Sequence, residues 1–116
     1  MATHTNSQKM AQTAYQRIAA RKPDREFASF ARSFPSLVHV CGLAQAVAFA
    51  TAKHREQYLE DLAAVLLAAG HAESTSADRL ERSTREYLVP AYVRLSRNAL
   101  QAASWLKRYV EAVSQD

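Results

Sequence analysis

Few side chains of this sequence have the types and spacing that catalysis or metal binding requires. No histidine has a cysteine, a carboxylate or a second histidine at the spacing of a zinc motif such as HExxH. The four histidines are His4, His39, His54 and His71. The single cysteine, Cys41, lies beside an apolar run, which is typical of a core thiol. Because the chain has only two glycines, it also lacks a glycine-rich phosphate loop. The sequence therefore predicts no metal site and no cofactor.

One pair of side chains supports an enzyme hypothesis. Arg32 and His39 are separated by six residues, a spacing that loosely resembles the arginine and histidine pair of HEPN-type ribonucleases, which are small helical proteins. The sequence departs from that family at Ser33, where a polar amide, an acid or a histidine is usual, and at Pro35, which lies inside the spacing.

Positive charge is the more extensive chemical feature. The chain has 15 Lys and Arg against 11 Asp and Glu, a formal net charge of +4. Residues 1–55 carry a net charge of +6, residues 56–90 of −4 and residues 91–116 of +2. Such polarisation fits a basic surface that meets phosphate, a basic face that meets the acidic face of a neighbour, or simply solvated helix faces.

The elements that carry these residues are predicted to be helices. A chain of 116 residues is the size of one domain, and alanine is abundant while glycine and proline are scarce. We find no alternating run of β-branched and aromatic residues bounded by turn signals. The fold class is therefore predicted to be all-α, a single-domain bundle of about six helices spanning residues 1–116, with residues 1–6 disordered.

The longest apolar run, Pro35 to Arg55, is predicted to form the centre of the core. After Gly42, apolar residues recur at the spacing of a buried helix face; they are Leu43, Ala46, Val47, Phe49 and Ala50. The run is too short and too interrupted to cross a bilayer. Gly42 either ends a short helix or permits close contact inside a single bent helix, and the sequence is consistent with both.

Two helices are predicted before this run. The first covers residues 8–20, with Asn6 or Ser7 as its N-cap, and its apolar stripe is Met10, Ala14 and Ile18. Residues spaced four apart are predicted to line the opposite face; they are Lys9, Thr13, Arg17 and Arg21. The second helix covers residues 24–33 and buries phenylalanines, and Pro35 is predicted to begin a new segment.

Three further helices are predicted after Arg55. The fourth covers residues 56–69, ends at Gly70, and carries acidic residues, Asp61 among them, near its positive N-terminus. The fifth starts near Ala77 and carries Leu80, Tyr87 and Leu88. Pro90 should kink or split it. The last covers residues 97–113 with Ser96 as its N-cap, and its apolar face is Ala99, Ala103, Leu106, Val110 and Val113.

A single cysteine cannot form an internal disulfide, and the N-terminal segment MATHTNSQKM has no apolar signal region. Both features favour a reducing, cytoplasmic setting without a membrane.

Two blocks of the sequence resemble a known family. The run FPSLVHVCGLAQAVAFATAK, residues 34–53, is similar to the signature of the small subunit, the fifth Cmr protein, of the type III-B CRISPR RNA-silencing complex. That signature has a proline and an aliphatic pair before a glycine-leucine step, then an alanine-rich helix that ends in lysine. The second block agrees in order and spacing; its residues are Tyr92, Leu95, Ser96, Ala99, Leu100 and Trp105 to Arg108. Cys41 departs from the polar amide that is common before the glycine.

This resemblance implies a helical bundle without catalytic activity of its own. Several copies would stack as a minor filament beside the other Cmr subunits, and the assembly would hold the guide RNA and target RNA duplex in a basic channel. The predicted RNA contacts are Lys9, Arg17, Arg21, Lys53, Arg55, Lys107 and Arg108. A helical protein-interaction adaptor without RNA contact is the alternative. Trp105 is interpreted as an anchor of the last helix, or as an aromatic for a partner or a base if it is exposed.

Overall fold

The computed structural model describes residues 3–113. Within this range there are six helices and no strand; in chain order they are α1 (Asn6–Arg21), α2 (Arg25–Cys41), α3 (Leu43–Ala52), α4 (Glu56–Ala68), α5 (Ala77–Glu86) and α6 (Val89–Val113). The prediction of an all-α fold with about six helices is confirmed.

The core lies where α2, α4 and α6 meet. The most extensive helix pair is α2 with α6, and α1 packs against both α4 and α6. At the centre the ring of Tyr58 lies 4.9 Å from that of Phe34 and 5.3 Å from that of Phe30, measured between centroids. Aromatic pairs at these distances attract one another beyond their area burial. They fix α4 against α2.

The first helix has the predicted apolar stripe but a different cap. Met10, Ala14 and Ile18 are buried as predicted. Thr5 is the N-cap, because its side chain accepts a hydrogen bond from the Gln8 N–H while the Gln8 side chain accepts one from the Thr5 N–H. The prediction of Asn6 or Ser7 as the cap is therefore wrong. The predicted disorder of residues 1–6 falls in part on residues 1 and 2, which lie outside the described range.

Pro35 does not begin a helix but lies inside α2. The prediction of a helix boundary there is wrong. A continuous buried stripe, Phe27, Ala31, Phe34 and Val38, runs through the proline at helical spacing. Burial of this stripe on both sides of Pro35 offsets the lost backbone hydrogen bond and the crowding of its ring.

Gly42 separates α2 from α3. Its φ of +86° and ψ of 162° lie in a region open to glycine, so the chain turns here and two helices form, which decides between the two sequence-based alternatives. α3 has no side-chain cap of its own residues at Gly42. Instead the hydroxyl of Tyr92 on α6 accepts a hydrogen bond from the Ala44 N–H at 3.0 Å. This contact explains why the chain carries a tyrosine so early in α6.

The C-terminal helices follow the predictions in part. Gly70, with φ +80°, stands just after α4, where the His71 and Gly70 N–H groups bond back to Leu66 and Leu67. Ser76 caps α5, since its side chain accepts a hydrogen bond from the Arg79 N–H. Pro90 separates α5 from α6 because it stands in the first turn of α6, where a missing N–H costs little.

Five predictions about single residues are wrong, among them Tyr87, which lies beyond the end of α5 and is 42% exposed. Ser96 lies inside α6 and does not cap it, because that helix already begins at Val89. Phe49 on α3 is 43% exposed, and Leu88, which lies beyond the end of α5, is 80% exposed. Val113, at the end of α6, is 52% exposed. The stripe predicted for α6 is otherwise buried, from Ala99 to Val110.

Candidate nucleic-acid interface

Asp61 is the centre of an ion cluster between α1 and α4. Its carboxylate is fully buried. Arg17 donates from Nε to Oδ1 at 2.8 Å. Arg21 donates from Nη2 to Oδ1 at 2.8 Å and from Nε to Oδ2 at 3.1 Å. The hydrogen bond to Asp61 raises the pKa of Arg21 above its ordinary value. A buried carboxylate is tolerated only with such partners.

The placement of Asp61 corrects two predictions. Asp61 is not a surface residue at the helix terminus, since it lies fully in the interior. Arg17 and Arg21 do not line a free face opposite the stripe of α1, because both guanidinium groups are bound to that carboxylate. Their side chains are 34% and 23% exposed, so one edge of each still reaches solvent. RNA contact by these two arginines stays a prediction.

A basic cleft of about 150 Å³ lies beside this cluster, between the turn that joins α1 to α2 and the turn that joins α3 to α4. Its cationic and imidazole side chains are Arg21, Lys22, His54 and Arg55. Lys22 and His54 both have left-handed backbone, with φ of +50° and +58°. Residues other than glycine adopt this conformation at a cost of order 1 kcal/mol or more, and such strain concentrates at functional sites.

Some side chains in and beside the basic cleft already interact with other residues of the chain. Arg55 donates from Nη2 to Glu26 at 3.1 Å and lies 5.9 Å from the Phe30 ring centroid. Lys53 lies 5.6 Å from the Phe49 ring centroid and is exposed. Tyr58 lines the floor, and burial raises its pKa well above the ordinary value, with the Asp61 charge as a second cause. Lys53 is thus the cation here with the most accessible charge among the predicted contacts.

A second surface, the aromatic groove, lies between α1 and α6. Its lining residues are His4, Gln8, Lys9, Ala11, Gln12, Thr13, Tyr15, Ala68 and Tyr109. The rings of Tyr15 and Tyr109 meet edge to face at 5.7 Å, and Trp105 stacks on Tyr109 at 6.1 Å with an interplanar angle of 17°. Trp105 is half-buried, so it both packs and presents surface.

The predicted contacts do not gather in one place, and Arg17 lines a third depression, beside Glu56, Glu60 and Asp78. Lys9 lines the aromatic groove, and Lys107 and Arg108 directly precede Tyr109 on α6. Arg21 and Arg55 line the basic cleft, and Lys53 directly precedes His54 there. Sequence reasoning missed Lys22 and His54 as members of that cleft. Lys22 precedes Pro23, and His54 lies at the end of the apolar run, so both could be recognised as turn residues. That the two turns line the same cleft is visible only in the fold.

The remaining candidates for chemistry stay dispersed. Arg32 and His39 are both exposed on α2, seven residues apart, which corresponds to a rise of about 10.5 Å along the helix. Across residues 3–113, no group of three or more His, Cys, Asp or Glu side chains could hold a metal ion. None of the helices in this range is both long and apolar enough to span a membrane.

Comparison with known proteins identifies the family. The family model described as CRISPR-associated protein (Cas_Cmr5) matches residues 6–113. The chain belongs to the Cmr5 family. The CRISPR system Cmr subunit Cmr5 of Thermus thermophilus is 36% identical over 118 residues, covering 97% of this chain and 98% of its own. The crystal structure of a Cmr5 family protein from Thermus thermophilus superposes with a TM-score of 0.82 at 34% identity, covering 95% of this chain and 98% of that one. The resemblance found in the sequence, and the Cmr5 fold, are both confirmed.

Proposed function

We propose that this protein is the small, non-catalytic subunit of a type III-B CRISPR effector (Cmr) complex, acting in antiviral defence in the cytoplasm. The observation that carries the proposal is the similarity to a Cmr subunit along 97% of this chain and 98% of that protein. The similarity covers every helix of the bundle and not only one motif. It therefore supports the same position in a Cmr complex as that subunit.

Within the complex, the protein helps to hold the guide RNA and target RNA duplex through phosphate contacts. The exposed cations Lys9, Lys53 and Arg108 support this role because their charges are not neutralised by an acidic partner among the described residues. Lys107 on α6 is half-buried and has no carboxylate within salt-bridge distance among the described residues. Arg17, Arg21 and Arg55 contribute less, since each already pairs with a carboxylate. Phosphate contacts carry no sequence information, so base pairing in the guide supplies specificity.

Further copies of the protein and the other Cmr subunits are the protein partners. The acidic side chains Glu56, Glu60 and Asp78 line one depression between α4 and the α5 N-terminus. A neighbour's basic surface would complement it, and such complementarity fixes register between stacked copies. The polarity of charge along the chain thus supports a filament in which basic and acidic faces meet.

The test is recovery of the tagged protein from its native cells, with sequencing of the small RNAs that accompany it. We expect CRISPR guide RNAs together with other Cmr subunits. The charge reversals Lys9→Glu, Lys53→Glu and Arg108→Glu, combined, should lower the RNA recovered while the protein partners remain. Arg82→Glu, a charge reversal at an exposed arginine on α5, outside the predicted contacts, is the control and should change neither.

Two outcomes would contradict the proposal. Protein partners recovered without RNA would favour the adaptor function and make the basic residues ordinary surface. RNA cleavage by the purified protein that is lost in His39→Ala would instead indicate a HEPN-like ribonuclease.

A further inference from the structure

The aromatic groove has the composition of a surface that stacks a nucleobase. Tyr15 is 55% exposed although its ring meets that of Tyr109 in an edge-to-face contact, so more than half of the residue remains open to solvent. The groove is a solvent-open depression of about 890 Å³. The lining also includes the small side chains Ala11 and Ala68. This arrangement leaves room for a flat group to lie against the tyrosines.

The charges around the groove select the occupant. Lys9 and His4 line it, and none of the side chains found to line it is a carboxylate. Lys107 and Arg108 directly precede Tyr109 on α6. The side-chain amides of Gln8 and Gln12 add donors and acceptors at the wall. Aromatic rings beside a cation and amides suit a base with its phosphates, whereas a purely apolar peptide would leave the cation and the amides unmatched.

We propose that the aromatic groove binds an unpaired nucleotide of single-stranded RNA, with the base stacked on the exposed ring of Tyr15, the ring of Tyr109 against the edge of the base, and a flanking phosphate at Lys9. This inference rests on the proposed function, because it assumes that RNA reaches this face. It extends that function from phosphate contacts with a duplex to recognition of a base outside the duplex. Trp105, stacked behind Tyr109, supports the ring from below and is the only tryptophan in the chain.

The experiment measures binding of the full chain to three fluorescein-labelled 12-nucleotide probes at low salt. The probes are oligoadenylate, an abasic strand with the same phosphates, and a preformed RNA duplex. We expect oligoadenylate to bind more tightly than the abasic strand and to quench Trp105 emission, which the abasic strand should not do. Tyr15→Ala should weaken oligoadenylate binding about five-fold or more, since each stacked base contributes roughly that much at the low end.

Matched variants separate stacking from folding. Tyr15→Phe keeps the ring and should stay within about two-fold of the wild type. Tyr87→Ala removes a tyrosine that is 42% exposed at the α5–α6 junction, outside the groove, and should have no effect. Neither Tyr15→Ala nor Tyr87→Ala should alter binding of the abasic strand.

The possible failures are distinguishable. If oligoadenylate and the abasic strand bind equally, or if Tyr15→Ala binds oligoadenylate like the wild type, the stacking site is refuted while duplex binding leaves the proposed function in place. If none of the three probes binds, the RNA-holding function and the stacking site are both refuted.

Discussion

At the scale of single residues, Asp61 shows how the chain uses its charges. Removing a carboxylate from water is costly, and the cost is offset by three charge-assisted hydrogen bonds from Arg17 and Arg21. Arginine suits this task because its planar group can bind two carboxylate oxygens at once, as Arg21 does. The two arginines are therefore first a connection between α1 and α4, and only their exposed edges remain for other contacts.

Replacing Asp61 should destabilise the fold strongly. In Asp61→Asn the two arginines lose their counter-charge at a buried site, so we expect the free energy of unfolding to fall by about 3 kcal/mol. Urea denaturation at neutral pH measures this change. Glu60→Gln, one position earlier and half-exposed, is the matched control and should stay within about 0.5 kcal/mol of the wild type. Equal effects of the two substitutions would show that the ion cluster does not stabilise the native state.

The sequence showed Arg17, Arg21 and Asp61 as charged residues of their helices, but it did not predict that they form ion pairs with one another. Asp61 and Arg17 are 44 positions apart, and their pairing depends on how α1 lies against α4. From the local pattern, Asp61 was predicted to interact with the positive N-terminus of its own helix, and the arginines were predicted to lie on the helix face opposite the apolar stripe. Spacing reveals contacts within a helix, while partners across helices become visible only when the packing is known.

At the scale of elements, local signals were reliable where they agreed with the apolar pattern. The stripe of α1, the face of α3 apart from Phe49, and the glycine that follows α4 were all predicted correctly. Pro35 and Ser96 misled because each is a helix-boundary residue by type but lies within a longer buried stripe. In both helices the tertiary packing outweighed the local preference of one residue.

A substitution at Pro35 can measure how far tertiary packing outweighs local helix preference in α2. Because α2 lacks a backbone hydrogen bond at this proline, Pro35→Ala should restore the bond to the Ala31 carbonyl and raise the free energy of unfolding by about 1–3 kcal/mol. Thermal or urea denaturation measures it. Ser36→Ala, the exposed neighbour, changes helix propensity alone and should give no more than about 0.5 kcal/mol. If Pro35→Ala lowers the free energy of unfolding instead, the packing of the proline ring stabilises the fold by more than the missing backbone hydrogen bond costs.

At the scale of the whole molecule, the folded chain places its positive charge on separate surfaces. The basic cleft collects the turns after α1 and α3, and the aromatic groove collects the start of α1 and the end of α6. Acidic residues of α4 and the α5 N-terminus line a third surface. The net charges of the segments were visible in the sequence, whereas the division into surfaces depends on which turns and helix ends the bundle brings together.

The separation of the charged surfaces predicts which cations contribute to the salt dependence of RNA binding. For binding of the purified protein to an RNA duplex, the logarithm of the association constant should fall linearly with the logarithm of the KCl concentration. Lys53 is exposed and without a carboxylate partner in the described part of the chain. Lys53→Ala should therefore weaken binding to every sequence alike and reduce the steepness of that line by about one unit.

Arg17→Gln is the contrasting variant, because it also removes one positive charge but from a guanidinium that is bound to Asp61, a carboxylate that it shares with Arg21. We expect it to leave the steepness of the salt dependence unchanged, provided that urea denaturation shows the variant to be folded at the assay temperature. An equal loss of steepness in both variants would show that the exposed edge of Arg17 contacts phosphate as Lys53 does. An unchanged line in both would place the duplex away from the basic cleft and leave the aromatic groove as the face that meets RNA.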